Sequence, residues 1–558
     1  MAVLVGIDLG TTTTLVGRAV DEEGAISVNV IDIRQGDVEL SYLPSVAYFP
    51  PGEEPLVGLA AQKRGPQEDA SRYVRAVKRQ MGRRVLLPVV EQAPYQISAL
   101  YLAKALDEAR YKLPEDEIVF TVTVPASFTT NQRADTLLAL REACDRVGGI
   151  HYPEDDEGKL FISEPVAAML AFLNEEFEKP QAVRHLDFSD VRRVVVYDIG
   201  GGTLDLTRIF VEPKGSEVNG LTDLEIHVDE IGYYNPFGGE DFDLALAKVL
   251  YNRLMEQFPE LQDVHLTPEQ RLGVRLQLMD QAKEIKESLS DQMQSADDLL
   301  LFDEPEEATH YHSGEINVQG QLYSLEGEIN ESAFREAIED LISQGGAGTQ
   351  RKNLITPLDD LLTKSKLDPA RLDGLLIVGG AARLPLIPEA LREYWPNDRV
   401  WVFQPPDHAV VTGAALYSYL RDRADFILVE KAADAYYVRL EDRFDLILPA
   451  KKDLGKKNRY ELNADADHLS LQVFAGQQKD GSDDPVLSSL VHQGGTVINL
   501  GQEYQQGTPV WVQMRYAGET SETDHTKVPW VYVWIGKEED PPQFRRRYSE
   551  LVQEVRHG

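Results

Sequence analysis

The chain of 558 residues is long enough for three or four domains at roughly 150 residues each. Its 42% apolar and 27% charged residues are ordinary globular usage, which excludes disordered, collagen-like and disulfide-stapled miniprotein classes. Carboxylates outnumber Lys plus Arg by 93 to 56, a formal charge of −37, so neither nucleic acid nor an acidic membrane surface is an expected partner without a local basic patch. The longest basic run, Arg545-Arg546-Arg547, reads as a solvated helix face. One cysteine, Cys144, rules out an internal disulfide framework or a Cys-rich zinc site, and its helical surroundings suggest a buried thiol. The chain opens directly on the strand-like Ala2–Ile7, without a leader pattern, and no stretch nears the ~18 apolar residues of a membrane span. A cytoplasmic location is therefore expected.

From residue 1 to about 420 strands and helices alternate, the pattern of an α/β protein. Strands are expected at Val3–Ile7, Ile118–Val124, Val194–Tyr197 and Leu375–Val378. Helices are expected at Gln96–Arg110, Asn131–Val147, Phe242–Gln257, Pro268–Leu289 and Glu331–Ser343. The acidic stretch Ser295–Gly314 reads as a surface loop or hairpin tip, and His310 and His312 within it lack the further ligands a metal site needs. Beyond Leu420 short period-two segments, such as Leu469–Phe474, Pro509–Met514 and Trp530–Ile535, read as a small all-β domain.

A weak internal repeat is the first functional clue. Val3-Leu4-Val5-Gly6-Ile7-Asp8-Leu9-Gly10-Thr11-Thr12-Thr13 parallels Val194-Val195-Val196-Tyr197-Asp198-Ile199-Gly200-Gly201-Gly202-Thr203, each a strand, an aspartate, a Gly/Thr turn and a second strand. Glycine-rich turns expose backbone N–H groups that cradle phosphate oxygens, and an aspartate at the strand end suits a hydrated magnesium ion. One Asp-x-Gly alone would be an ordinary hairpin turn; two facing copies would clamp a nucleotide from both sides. A third turn, Gly379-Gly380-Ala381-Ala382-Arg383, and a fourth, Gly238-Gly239-Glu240-Asp241, follow the same logic more weakly. Walker A, His-Glu-x-x-His and Gly-x-Ser-x-Gly motifs do not occur.

Together these segments resemble the seventy-kilodalton heat-shock (DnaK-type) chaperone family within the actin and sugar-kinase superfamily. Val122–Phe128 with Asn131-Gln132-Arg133, Ile162–Ala168, Gly238–Asp243, Val378–Pro385 and Pro406–Val410 with Gly413–Ala415 match further family signatures in order. The resemblance implies an actin-like (ribonuclease H-type) two-lobed ATPase domain over 1–423 and an apolar linker over 424–432. It further implies a β-sandwich over 433–540 and a short C-terminal helix over 541–558. ATP or ADP and Mg2+ are the implied cofactors. Lys78, Glu164, Asp198 and Thr203 would be catalytic, and Asp8 and Asp198 would hold magnesium through water. Nucleotide contacts would come from Gly10, Thr11, Thr12, Thr13, Gly200, Gly201, Gly202, Gly238, Gly239, Lys286, Ser290, Gly379, Gly380, Ala381, Arg383 and Asp407. Pro125 and Arg133, with Asp425, Phe426, Ile427 and Leu428 of the linker, would relay nucleotide state to the β domain, where Leu469 falls near a peptide pocket.

The departures are local. Lys283 stands where the family usually has an acidic residue, and Glu287 where many members carry an arginine or aliphatic residue against the adenine; Ala381 replaces a common serine or glutamine. In the β domain, Arg439–Phe444 is charged where the family's first cleft loop is apolar. The family's helical lid is longer than the 22 residues after Gly536, so at most one helix, Pro542–Val555, is expected there. Two readings stay open. One is an ATP-hydrolysing chaperone that grips unfolded or client polypeptide, with a J-domain cochaperone and a nucleotide exchange factor as partners by analogy. The other is a nucleotide-switched scaffold that binds one folded partner. A small-molecule kinase would leave the linker and β domain unexplained.

Overall fold

The structure, a computed structural model, describes residues 3–22, 25–82, 86–112, 118–148, 150, 160–232, 235–299, 307–343, 353–364, 369–395, 399–423, 425–429, 435–440, 443–448, 458–461, 466–476, 491–515, 530–535 and 544–547. Two mixed sheets built on one plan dominate the first 430 residues. The first contains β1 (Val3–Leu9), β2 (Thr13–Glu22), β3 (Ala25–Val30), β4 (Ile118–Val124) and β5 (Phe161–Ser163), in the spatial order β5-β4-β1-β2-β3. The second contains β6 (Arg192–Ile199), β7 (Leu204–Pro213), β8 (Leu224–Ile231), β9 (Gly374–Val378), β10 (Val400–Val402) and β11 (Ile427–Val429), in the order β10-β9-β6-β7-β8-β11. Each centres on an antiparallel hairpin, β1–β2 or β6–β7, flanked by a parallel strand, β4 or β9. The internal repeat in the sequence is therefore a repeat of hairpin and flank, and it puts both Asp-Gly-Thr turns at equivalent sheet positions.

The strand residues explain the burial. In β1 Val3, Val5, Ile7 and Leu9 are buried, and in β9 all of Gly374–Val378 are, as expected of strands covered by helices on both faces. Helix Thr130–Val147 begins on a capping box: Gln132 N–H donates to Thr129 Oγ1, while the Thr129 N–H donates to Gln132 Oε1 at 3.0 Å. Helix Glu164–Glu178 packs against helix Ala409–Leu420, and both are largely apolar and buried. Cys144 is buried.

The expected loop Ser295–Gly314 is corrected at both ends. Helix Pro268–Leu299 runs through its start, and strand Thr309–Val318 through its end, paired with Gln321–Asn330; residues 300–306 lie outside the described residues. His312, Ile316 and Val318 are buried on alternate positions, a two-residue period carried partly by a polar side chain that a composition reading scores as loop. His312 Nε2 is 2.8 Å from Gln281 Oε1, a helix contact rather than a metal pair.

The C-terminal region holds two four-stranded antiparallel sheets. One consists of β12 (Ala435–Leu440), β13 (Arg443–Leu448), β15 (Ala466–Gly476) and β16 (Val491–Tyr504), ordered β13-β12-β15-β16. The other consists of β14 (Asn458–Glu461), β17 (Pro509–Arg515), β18 (Trp530–Ile535) and β19 (Phe544–Arg547), ordered β14-β17-β18-β19. The charged segment Arg439–Phe444 spans the β12–β13 hairpin. The expected C-terminal helix over 541–558 is corrected for residues 544–547: they pair antiparallel with β18, Phe544 opposite Val533 and Arg547 opposite Trp530. Pairing to an apolar strand outweighs the local helical tendency, and a basic run on a sheet edge discourages further strand addition. The rest of 541–558 lies outside the described residues. No helix among the described residues is long and apolar enough to cross a membrane.

Candidate nucleotide cleft

The two Gly/Thr turns face each other across a cleft between the sheets. A Cβ on Gly201 would fall 2.3 Å from Thr12 Oγ1, so the turns are already in contact. The second turn is tied to the start of helix Gly239–Gln257: the Gly239 and Glu240 N–H groups donate to the Gly200 and Gly201 carbonyls at 3.0 and 2.6 Å. Gly379 has φ +91°, and a Cβ there would meet Ile199 O at 2.4 Å and Asp198 Oδ1 at 2.6 Å. Only glycine lets the third turn come this close to the Asp198 carboxylate.

Asp8, the penultimate residue of β1, accepts from Thr123 Oγ1 at 2.9 Å. Asp198, the penultimate residue of β6, lies directly opposite Asp205, the second residue of β7. Lys78 lies on the single helical turn Val77–Gln80 and donates to Glu164, the first residue of helix Glu164–Glu178. Their side chains are only 7% and 9% exposed, so this is a buried ion pair, with the Phe128 ring 5.8 Å from the ammonium. Burial works against the Lys78 charge, but Glu164, Asp8 and Asp205 together outweigh it and raise its pKa. The Asp8 carboxyl is pushed up to about 7, by burial first and the Glu164 charge second. Asp205 is pushed up to about 7 by the same two causes. Asp198 is raised as well, by burial and by Glu164, Asp205 and Asp8. One cation thus faces four carboxylates, an arrangement that becomes favourable when a further positive charge enters.

Nearly all the nucleotide-site residues expected from the sequence meet here. Asp8, Gly10 to Thr13, Lys78, Glu164, Asp198, Gly200, Gly201, Thr203, Gly239, Lys286, Ser290, Gly379 to Ala381, Arg383 and Asp407 line the cleft. Gly202 instead packs against the Arg79 guanidinium, and Gly238 against the Gly200–Gly202 backbone; both lie behind the lining. Pro125 and Arg133 are outside it as well: the Pro125 carbonyl accepts from the Phe128 N–H, and the Arg133 N–H donates to Thr129 O. Phe426 and Leu428 are buried in the apolar core under the second sheet, with Phe426 6.2 Å from the Tyr417 ring. Ile427 lies in β11, which pairs in parallel with β8, and the Asp425 carbonyl accepts from Lys214 Nζ. Residues 424 and 430–434 lie outside the described residues. Leu469 lies in β15 opposite Ile498 of β16.

Asp205 escaped the sequence reading. Its signal was the hairpin itself, which returns residue 205 to the register of Asp198 seven residues later. The counter-ions of the outer cleft were missed too: Glu240 pairs with Arg75 at 2.6 Å and Asp243 with Lys286 at 2.6 Å. Magnesium fits this donor set. The Asp8 and Asp198 carboxylates are hard oxygen donors of the kind a hydrated magnesium ion takes.

Comparison with known proteins shows the family. The family model described as Hsp70 protein matches residues 4–93 and 90–430. A chaperone protein DnaK of Thermosipho melanesiensis is 27% identical over 502 residues, covering 87% of this chain and 72% of that protein. One from Thermus thermophilus is 27% identical over 529 residues, covering 88% and 74%. One from Thermotoga neapolitana is 29% identical over 418 residues, covering 74% of this chain but only 58% of its own length. The chain belongs to the Hsp70 protein family.

Proposed function

We propose that this protein is a magnesium-dependent ATP hydrolase that couples nucleotide state to polypeptide binding, as a chaperone of the Hsp70 family. The observation that carries the reading is the buried Lys78–Glu164 pair set between two Asp-Gly-Thr turns. The backbone N–H groups of Gly10–Thr13, Gly200, Gly201 and Thr203 hold the phosphates. Asp8 and Asp198 position the hydrated metal, whose charge, when bound, offsets that of the phosphates. Lys78 sits where charge grows on the transferring phosphoryl group and orients the attacking water. Such placed charge is the largest contribution in phosphoryl transfer. Glu164 fixes the Lys78 ammonium and, with Thr203, orders water around the reacting group.

The architecture we assign is an actin-like, two-lobed ATPase domain over 1–423, a linker over 424–432 and a β-sandwich from 433. The linker strand β11 continues the sheet that carries the Asp198 turn, through β7 and β8. A shift in that turn therefore reaches the linker through two hydrogen-bonded strands. Pro125 and Arg133, at the mouth of helix Thr130–Val147, relay the other half of the signal. Polypeptide is the client, taken near Leu469 by strand addition, and a J-domain protein and an exchange factor are the family partners. The test is steady-state release of phosphate from Mg-ATP with and without an unfolded protein. Severalfold stimulation supports a chaperone cycle; indifference to every unfolded client would leave only the hydrolase.

A further inference from the structure

The two copies of the internal repeat differ at one buried position beside their aspartates. In the first sheet β4 runs parallel to β1 with Ile7 opposite Val122, so the next step along the ladder sets Asp8 beside Thr123. In the second sheet β9 runs parallel to β6, and the place beside Asp198 is taken by Val378. Thr123 and Val378 are both fully buried. The same fold thus accepts either a hydroxyl or a methyl group there. The Thr123 hydroxyl donates to Asp8 Oδ1 at 2.9 Å, the one hydrogen bond of the Asp8 side chain among the described residues. The Asp198 side chain makes none among the described residues. Thr121, two residues earlier on the same face of β4, is equally buried, but its Oγ1 accepts from the Arg421 guanidinium at 3.3 Å.

The last torsion of an aspartate side chain is broad, so an unanchored carboxylate swings at little cost. A hydrated magnesium ion, in contrast, demands near-ideal octahedral geometry of the waters that a carboxylate receives. The Thr123 hydroxyl has one proton to give, and it gives it to Oδ1. Such a charge-assisted bond fixes the plane of the Asp8 carboxylate and leaves Oδ2 for a water of the metal. We propose that Thr123 is a positioning residue for magnesium, which makes Asp8 the fixed anchor of the hydrated ion and Asp198 the adjustable one. The inference rests on the nucleotide-site reading above and deepens it by giving its two aspartates different parts. Replacing Thr123 by valine makes the first sheet like the second at this position.

The experiment is calorimetric binding of ADP to the full chain, first in EDTA and then across a series of free Mg2+ concentrations. Thr123→Val, Thr123→Ser and Thr121→Val are measured beside the parent. Thr123→Val is expected to raise the half-saturating Mg2+ concentration about tenfold while ADP affinity in EDTA stays within about twofold of the parent. Thr123→Ser keeps the hydroxyl and restores the parent's Mg2+ dependence. Thr121→Val deletes a hydroxyl from the same strand face without touching Asp8, and it leaves that dependence unchanged. Thr123→Ala repeats the test should the valine variant not fold, with the same shift expected. A Mg2+ dependence that Thr123→Val leaves unchanged overturns the inference while the nucleotide site stands. An equal loss of ADP affinity in EDTA and in Mg2+ also overturns it, because the hydroxyl would then only support the structure. A parent that binds no ADP, or binds it without regard to Mg2+, overturns the nucleotide and metal reading itself.

Discussion

The two ends of the cleft solve opposite electrostatic problems. At the inner end Lys78 stands among Asp8, half-buried, and the buried Glu164, Asp198 and Asp205, and burial with that crowding pushes three of these carboxyls upward in pKa. At the outer end Arg75, Lys286 and Arg383 each meet a matched carboxylate at 2.6 Å. An unbalanced cluster is costly until a ligand brings the missing charge, whereas a balanced one is satisfied in advance. On the function proposed above, the inner end would receive metal and phosphate, while the outer end is balanced before any ligand arrives.

Four tests break or sharpen this contrast. The largest effect is expected from Glu164→Ala, which leaves the Lys78 ammonium buried without its hydrogen-bonded partner; a loss of about 3 kcal/mol in chemical denaturation is expected. A loss below about 1 kcal/mol would mean that Asp8 and Asp205 already suffice. Next, Asp205→Asn removes a carboxylate whose folded pKa, about 7, lies above its ordinary 3.8. The folded state therefore holds the proton longer than the unfolded chain, and the penalty grows as pH rises from about 4 to 7. The variant is expected to be more stable than the parent by about 2 kcal/mol at pH 8 and by clearly less at pH 5, measured without nucleotide. Equal gains at both pH values would remove the crowding account.

Gly238 and Gly239 form the third test. A Cβ on Gly238 would meet Gly200 O at 2.5 Å and Gly202 N at 2.8 Å, while one on Gly239 finds nothing nearer than 3.5 Å. Gly238→Ala should cost about 1–3 kcal/mol and weaken nucleotide binding, and Gly239→Ala should be tolerated in the fold. The smallest effect belongs to Lys214→Ala. Lys214 is exposed and donates to the Thr222 carbonyl at 2.8 Å and to Asp425 O beside the linker strand. Less than about 1 kcal/mol is expected, with faster amide exchange confined to residues 425–429.

Much of the cleft was legible because its parts are local: a buried strand, an aspartate and a glycine turn announce themselves within ten residues, and the repeat doubles the signal. What the sequence hid was pairing. Asp205 is an unremarked strand residue until hairpin register sets it opposite Asp198. Glu240 and Asp243 carry no sign of their partners until the folded chain brings Arg75 and Lys286 to them. The same limit explains Phe544–Arg547, where a strand partner from another segment decides the conformation, and Asp425–Glu430, whose apolar run was expected as a linker. Its central residues, Ile427–Val429, join the sheet of the Asp198 turn instead.

The most direct test of the central claim is single-turnover cleavage of Mg-ATP by the full chain and by Lys78→Ala, at protein concentrations that saturate both. The account predicts slow cleavage to ADP and phosphate by the parent. The variant should bind nucleotide yet cleave it at least about a hundredfold more slowly, the scale seen when one preorganised charge or donor is removed. Equal rates in the two proteins would contradict it, because the charge set between the two turns would then have no part in the chemistry.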